Sequence, residues 1–261
     1  MIMKRKPTDM GTVGLSILLC AILSVYFLGL GYGETGKTAI RASANERILP
    51  IYSVDTQEPR VALTFDIATG TEDLEQILET LDKHQVKATF FLLGSWIRHW
   101  PEEVKRLYDT GHELANHGDH HVDYTELGLE ECKQEILGAQ EEIRQQTGFT
   151  TDLFRPPYGS YNNTVMQAAE QCGYETIQWS VDSLDWKEYG KEEMIERVLK
   201  HSQLQNGAIL LFHNNTKYTA QALDAILTGL EEQGYHIGTV SDLILKEGGY
   251  IDSQGRQHPS S

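Results

Sequence analysis

Residues 61–92 read VALTFDIATGTEDLEQILETLDKHQVKATFFL, and their periodicity decides the fold class. A short apolar run, Val61 to Phe65, gives way to apolar residues spaced three and four apart from about Glu72 to His84. A second apolar run, Ala88 to Leu92, comes next. Buried strand, amphipathic helix, buried strand is the pattern of a βα unit. It continues with a helix from about Pro101 to Thr110, strand His112 to Ala115, helix Glu130 to Thr147, strand Leu153-Phe154 and helix Asn163 to Cys172. Strand Glu175 to Ser180, helix Glu192 to His201, strand Ala208 to Phe212, helix Ala220 to Gln233 and strand His236 to Val240 complete it. Short buried strands separated by helices predict an α/β fold with a parallel sheet of about seven strands, open and doubly wound or closed as a (β/α) barrel. In both, ligands bind beyond the C-terminal ends of the strands.

Ahead of this repeat, Lys4-Arg5-Lys6 precedes an uncharged stretch from Met10 to Gly33. Its most apolar part, Val13 to Leu30, has 18 residues, near the roughly 20 that a helix needs to cross a bilayer. The positive cluster keeps the N-terminus in the cytoplasm and places the chain beyond Gly33 outside. The expected organisation is a cytoplasmic 1–9, an uncleaved transmembrane anchor 10–33, a linker 34–58, a functional domain 59–247 and a tail 248–261. The net charge of −16, from 22 basic and 38 acidic residues in 261, argues against nucleic acid as a partner. Cys132 and Cys172, the two cysteines beyond the anchor, are read as structural.

The chemistry-bearing residues fall at strand ends. Asp66 stands after the first strand, His117 and His121 after the third, Arg155 after the fourth, Asp182 after the fifth and His213 after the sixth. Convergence on one rim marks a site. Two histidines at i and i+4 can share a metal ion. Asp66, at the end of an apolar run, suits a general base, and Arg155, stiffened by Pro156 and Pro157, suits orientation of a charged partner. A carboxylate near His213 would keep it protonated as a general acid.

Taken in order, Thr64-Phe-Asp-Ile67, His117-Gly-Asp-His-His121, Arg155-Pro-Pro-Tyr-Gly159, Asp182-Ser-Leu-Asp-Trp186 and Leu211-Phe-His213 resemble the five motifs of the polysaccharide deacetylases of carbohydrate esterase family 4, the NodB-homology domain. The resemblance implies a distorted (β/α) barrel that removes acetyl groups from N-acetylated glycans such as peptidoglycan or chitin, with a divalent metal, commonly zinc. It implies Asp66 as base, His117 and His121 as metal ligands, Arg155 as the residue that orients the base, and His213 as acid tuned by Asp182. It also implies Tyr158 as an oxyanion donor through its backbone N–H, and Trp186 and Leu211 as walls of the acetyl pocket. Where the family has a second aspartate as metal ligand, this chain has Ile67, which cannot coordinate a metal. Gly118 replaces the usual Ser or Thr, an expected loosening of the second motif. Phe65-Asp-Ile-Ala68 resembles the sporulation-associated PdaB-like subgroup. A catalytically impaired glycan-binding or structural protein of the spore envelope, and an O-acetyl esterase, are the alternatives.

Overall fold

The computed structural model describes residues 47–246 and 248–260. The proposed anchor, Met10 to Gly33, lies outside them. Among the described residues no helix is long and apolar enough to cross a membrane.

A short strand β1 (Ser53–Val54) leads into β2 (Arg60–Ile67), then α1 (Leu74–Lys83), β3 (Thr89–Leu92), α2 (Gly94–His99), α3 (Pro101–Asp109), β4 (Glu113–Asn116) and α4 (Leu129–Thr147). The chain goes on through β5 (Leu153–Phe154), α5 (Asn163–Gln171), β6 (Glu175–Thr176), β7 (Val181–Asp182), α6 (Lys191–Leu199), β8 (Ile209–His213), α7 (Thr219–Glu232), β9 (His236–Gly238), β10 (Gly249–Ile251) and β11 (Arg256–Pro259). Seven parallel strands, in the order β6-β5-β4-β3-β2-β8-β7, make one sheet, and β9 pairs with the start of β2.

Of the expected strand 175–180 only Glu175-Thr176 is strand, β6; β7 starts beyond it at Val181, on the opposite edge of the sheet. Five peptide steps separate Thr176 from Val181 and can span at most about 18 Å, so the edges must face one another. The sheet therefore curls into a half-barrel. Its open seam is covered at one end by residues 51–54: Ile51 bridges to Ile177 and Ser53 to Ala208.

Alternation along β2 assigns each side chain its layer. Leu63, Phe65 and Ile67 join Phe90, Phe212, Leu223 and Ile226 in the core between sheet and helices, where the Phe65 and Phe90 rings stack at 5.1 Å. Ala62 faces the barrel interior with Ile51, Phe91, Ala115, Leu153, Ile177, Ile209 and Val240. A third cluster, around Tyr124, Ile136, Phe154 and Val165, joins α4 to α5; Cys132 lies in it and Cys172 packs against it, both as free thiols.

The folded body begins earlier and ends later than 59–247. Strand β1 pairs in parallel with β11, which pairs antiparallel with β10. Ile51 and Val54 are buried, and His258 donates from Nδ1 to Asp55 and from Nε2 to Asp252, both at 2.9 Å. Those two carboxylates raise the His258 pKa above its ordinary value, which keeps both nitrogens protonated as donors. The part of the expected linker 34–58 that the structure describes is thus no free spacer. Ile51 and Val54 are buried because they fill the seam between two sheet edges that sequence cannot show to be adjacent.

If residues 51–54 belong to the core, Ile51→Ala removes buried methyl groups at a cost of about 2–5 kcal/mol. Urea denaturation checks this; a free spacer would give a change near zero.

Candidate active site

Strand β5 ends at Phe154, and the next side chain, Arg155, is fully buried at the centre of the barrel mouth. Its Nη1 donates to Asp66 Oδ1 at 2.7 Å and to Thr64 Oγ1 at 2.9 Å. Nη2 donates to the Gln178 carbonyl at 3.1 Å and Nε to that of Ile177 at 3.4 Å. The guanidinium lies over the Phe91 ring at 4.0 Å, with Trp179 at 5.5 Å. Burial opposes the charge on Asp66, but Arg155, His117 and His213 outweigh it and hold the carboxyl below its usual pKa.

Asp66 Oδ1 is thus occupied and Oδ2 faces His117. The His117 Nδ1 lies 2.8 Å from the Arg155 carbonyl, which can only accept, so Nδ1 carries the proton and Nε2 presents a lone pair. That nitrogen stands 3.8 Å from Asp66 Oδ2. Burial pushes the His117 pKa down to about 4, so that imidazole is neutral at pH 7; His121 is exposed at the rim, and desolvation by its neighbours lowers its pKa from the ordinary value. Two buried acceptors face one another across 3.8 Å, an arrangement that favours a cation between them. The His117 and His121 rings lie 5.5 Å apart. By chemistry the donors, two imidazoles beside a carboxylate, suit a divalent ion, but the donor atoms of Asp66, His117 and His121 do not all lie within 4.8 Å of one another. The Nδ1 contact with Arg155 is the kind that fixes a ligand's tautomer and orientation.

Two other residues bear on that site. Ile67 is fully buried and packs in the helix-side core, away from Asp66. Asp119, the nearest other carboxylate in the sequence, also turns away: Oδ1 pairs with Arg98 at 2.6 Å and Oδ2 with His120 at 3.3 Å. Asp119, His120 and Glu135 are the set of three potential ligands in the described residues whose donor atoms lie within 4.8 Å of one another. Arg98 already supplies a positive charge to that set, and His120 lies between its carboxylates. It reads as an ion-pair network outside the mouth. Gly118 does not loosen the motif: its φ is 88°, and a Cβ there would strike the Tyr124 hydroxyl.

His213 ends β8 in register with Asp66 on β2, so the two residues expected as acid and base are cross-strand neighbours. The carboxylate that binds His213 is Asp185 and not Asp182, a correction to the sequence reading. Asp185 Oδ1 accepts from His213 Nδ1 at 2.7 Å, and Oδ2 accepts from the His213 backbone N–H at 2.6 Å and Thr219 Oγ1 at 2.8 Å. Asp182 instead accepts from the Leu184 N–H at 2.9 Å, and burial raises its pKa. Burial opposes charge on His213, but Asp185, then Asp66 and Asp182, outweigh it and raise the pKa. The carboxylates lie three residues apart in one motif, with Leu184 between them in the left-handed region at φ 51°.

Leu211 is buried in β8 opposite Thr64. Trp186 is exposed, with Lys187 Nζ 4.0 Å above its ring. Tyr158 packs edge-on against His121 with ring centres 4.3 Å apart, and its hydroxyl donates to the His121 carbonyl at 3.2 Å. Its φ of 61° is unusual for a tyrosine and costs on the order of 1–3 kcal/mol, the kind of strain that gathers at functional sites. Thr64, Phe91 and Asp185 complete the site and have no role in the sequence reading; a hydroxyl, a phenyl and one of two equivalent aspartates carry no signal until the barrel brings them to Arg155 and His213.

Comparison with known proteins agrees with this geometry. Residues 53–177 match the family model for polysaccharide deacetylase. The chain is 37% identical over 195 residues to the uncharacterized protein YlxY of Bacillus subtilis, covering 75% of this chain and 60% of that one. It is 34% identical over 206 residues to the peptidoglycan-N-acetylmuramic acid deacetylase PdaA of Bacillus subtilis, covering 77% of this chain and 78% of PdaA. Among solved structures, BA3943 from Bacillus anthracis, described as a CE4 family pseudoenzyme, superposes with a TM-score of 0.72 at 34% identity, over 80% of this chain and 72% of that one. A BA3943 mutant described as having restored enzymatic activity matches with a TM-score of 0.71 at 37% identity, over 74% of this chain and 70% of that one. Motifs, barrel and relatives converge: this chain belongs to the polysaccharide deacetylase family, carbohydrate esterase family 4.

Proposed function

We propose that this chain is an extracytoplasmic, metal-dependent deacetylase of N-acetylated peptidoglycan, tethered to the cell membrane by Val13 to Leu30. The observation that carries the reading is the facing pair Asp66 and His213, the first paired with Arg155, which favours its ionised form, and the second bonded to Asp185, which raises its pKa. Asp66 takes a proton from water as its oxygen attacks the acetyl carbonyl carbon. His213 gives its proton to the nitrogen as the C–N bond breaks, which leaves acetate and a free amine. Tyr158 offers its backbone N–H to the oxyanion, and Leu211 and Trp186 flank the acetyl group. A divalent ion such as zinc, when held by His117 and His121, acidifies water and polarises the carbonyl. A role in sporulation rests on the resemblance of Phe65 to Ala68 to the PdaB-like subgroup.

A second reading, a glycan-binding protein with impaired catalysis, is favoured by one observation: position 67 supplies a buried isoleucine and no carboxylate. Acetate release from peptidoglycan, with and without added zinc, separates the readings. Asp66→Asn abolishes the release expected of the first, while a wild type without release under zinc excess establishes the second.

The pH profile comes from the two shifts. Asp66 sits below its ordinary pKa, so activity should already be present on the acid side of neutrality. His213 sits above its own, so the proton persists as pH rises and activity falls only through that raised value. Asp185→Asn should move the alkaline fall to lower pH, and Asp182→Asn should move it less. An equal shift from both would remove Asp185 as the partner.

Ile67→Asp exchanges core packing for a ligand. The metal-free variant should melt lower than wild type, regain stability when zinc is added, and bind zinc more tightly with more acetate released. Calorimetry and thermal melts, with an acetate assay, read all three, and loss of stability with no zinc-dependent recovery would show that position 67 cannot reach the site.

A further inference from the structure

His117 and His121 are held by different means. A hydrogen bond to the Arg155 carbonyl fixes the first ring. The second ring has no such hydrogen bond in the described residues; it packs against the His117 and Tyr158 rings, and the His121 carbonyl accepts from the Tyr158 hydroxyl. Its direction therefore depends on the turn Gly118-Asp119-His120.

That turn is fastened to two helices. At the start of α2, the Gly94 N–H donates to the Gly118 carbonyl at 2.8 Å and the Ser95 N–H to that of Asp119 at 2.9 Å. From α4, Glu135 accepts from the His120 N–H at 2.8 Å. The side chain of Asp119 passes between the two helices. A Cβ on Gly94 would strike Asp119 Oδ1, and one on Gly138, in the middle of α4, would stand 3.1 Å from the Asp119 Cβ and Cγ. Arg98 closes the far end, bound to Asp119 at 2.6 Å and to Glu142 at 3.0 Å. A glycine inside a helix weakens it relative to alanine, and here the missing methyl is the space that Asp119 fills.

We propose that Asp119 is the positioning residue of the second motif: its carboxylate, seated between Gly94 and Gly138 and paired with Arg98, holds the turn that aims His121 at the site. The inference rests on reading His121 as a site imidazole. It makes Gly94 and Gly138 parts of the same device. Alanine is the better helix former at both positions, so neither glycine is there for helix stability.

The test uses imidazole ¹H–¹³C spectra of the full chain without metal. The Tyr158 ring, edge-on to His121, gives that imidazole a shifted signal in the wild type. Asp119→Ala, which removes the carboxylate, and Gly94→Ala, whose methyl displaces it, should each move it towards the value of a free histidine, and the double variant should move it no further than either alone, because both changes unseat the same side chain. The buried His112, on the other side of the sheet's core, serves as control and should not move. Should Asp119→Ala fail to fold, Asp119→Leu, which keeps bulk and removes the pairing with Arg98, is read the same way. Zinc affinity should fall by about tenfold, the scale seen for residues that orient metal ligands. An unmoved His121 signal, additive effects of the two changes, or a His112 signal that moves as much would overturn the inference and leave Asp119 an ordinary ion pair. Since the spectra are read without metal, a chain that takes up no zinc would overturn the metal reading and not this one.

Discussion

A guanidinium with no exposed surface sits at the mouth of the barrel, and the rest of the structure is arranged to make that tolerable. A buried charge without a partner is unsustainable, and removal of one member of a buried pair costs roughly 3–5 kcal/mol. Arg155 is satisfied by Asp66 and Thr64 on β2 and by the carbonyls of Ile177 and Gln178 on the crossing between β6 and β7. Those partners come from the centre of the sheet and from the segment that joins its two edges. The same hydrogen bonds therefore bridge the centre of the sheet to the segment that joins its edges. Through its own carbonyl, Arg155 also sets the tautomer of His117, so one residue links the shape of the barrel to the state of the site.

Strand β2 shows how little room such a site leaves. Thr64 and Asp66 point inward while Leu63, Phe65 and Ile67 serve the helix-side core. Ile67 thus satisfies the packing demand of its position, and the structure around it shows no defect. A chain can keep the whole fold with isoleucine at this point, because the core gains from an apolar side chain what the mouth forgoes in a carboxylate.

Much of this is legible in the sequence. Asp66, Arg155, His117 and His213 announce themselves because parallel strands deliver their C-terminal ends to one rim, and the longer helices can be read from apolar spacing alone. The features that cannot be read depend on long-range placement. Glu175 to Ser180 looks like one strand, yet only its first two residues are strand, and the chain then crosses to β7 on the opposite edge. The six-residue α2 is too short to show a period. Asp182 and Asp185 are chemically equivalent until the folded chain brings one of them to His213. Ile51 and Val54 have no partners in sequence, only in the seam.

The seam has a mechanical consequence. Tension applied through residue 47 enters a segment held by hydrogen bonds from Ile51 to Thr176, Tyr52 to Gly255, Val54 to Gly207 and Asp55 to Gln257. These bonds lie upstream of β2 and run to separate parts of the body, so they share the load before any of it reaches the strand that carries Asp66. The β1–β11 contact works as a strain relief, as on a cable at its socket, and a pull on the N-terminal side is absorbed by the C-terminal hairpin and the barrel floor while the spacing of Asp66 and His213 stays fixed.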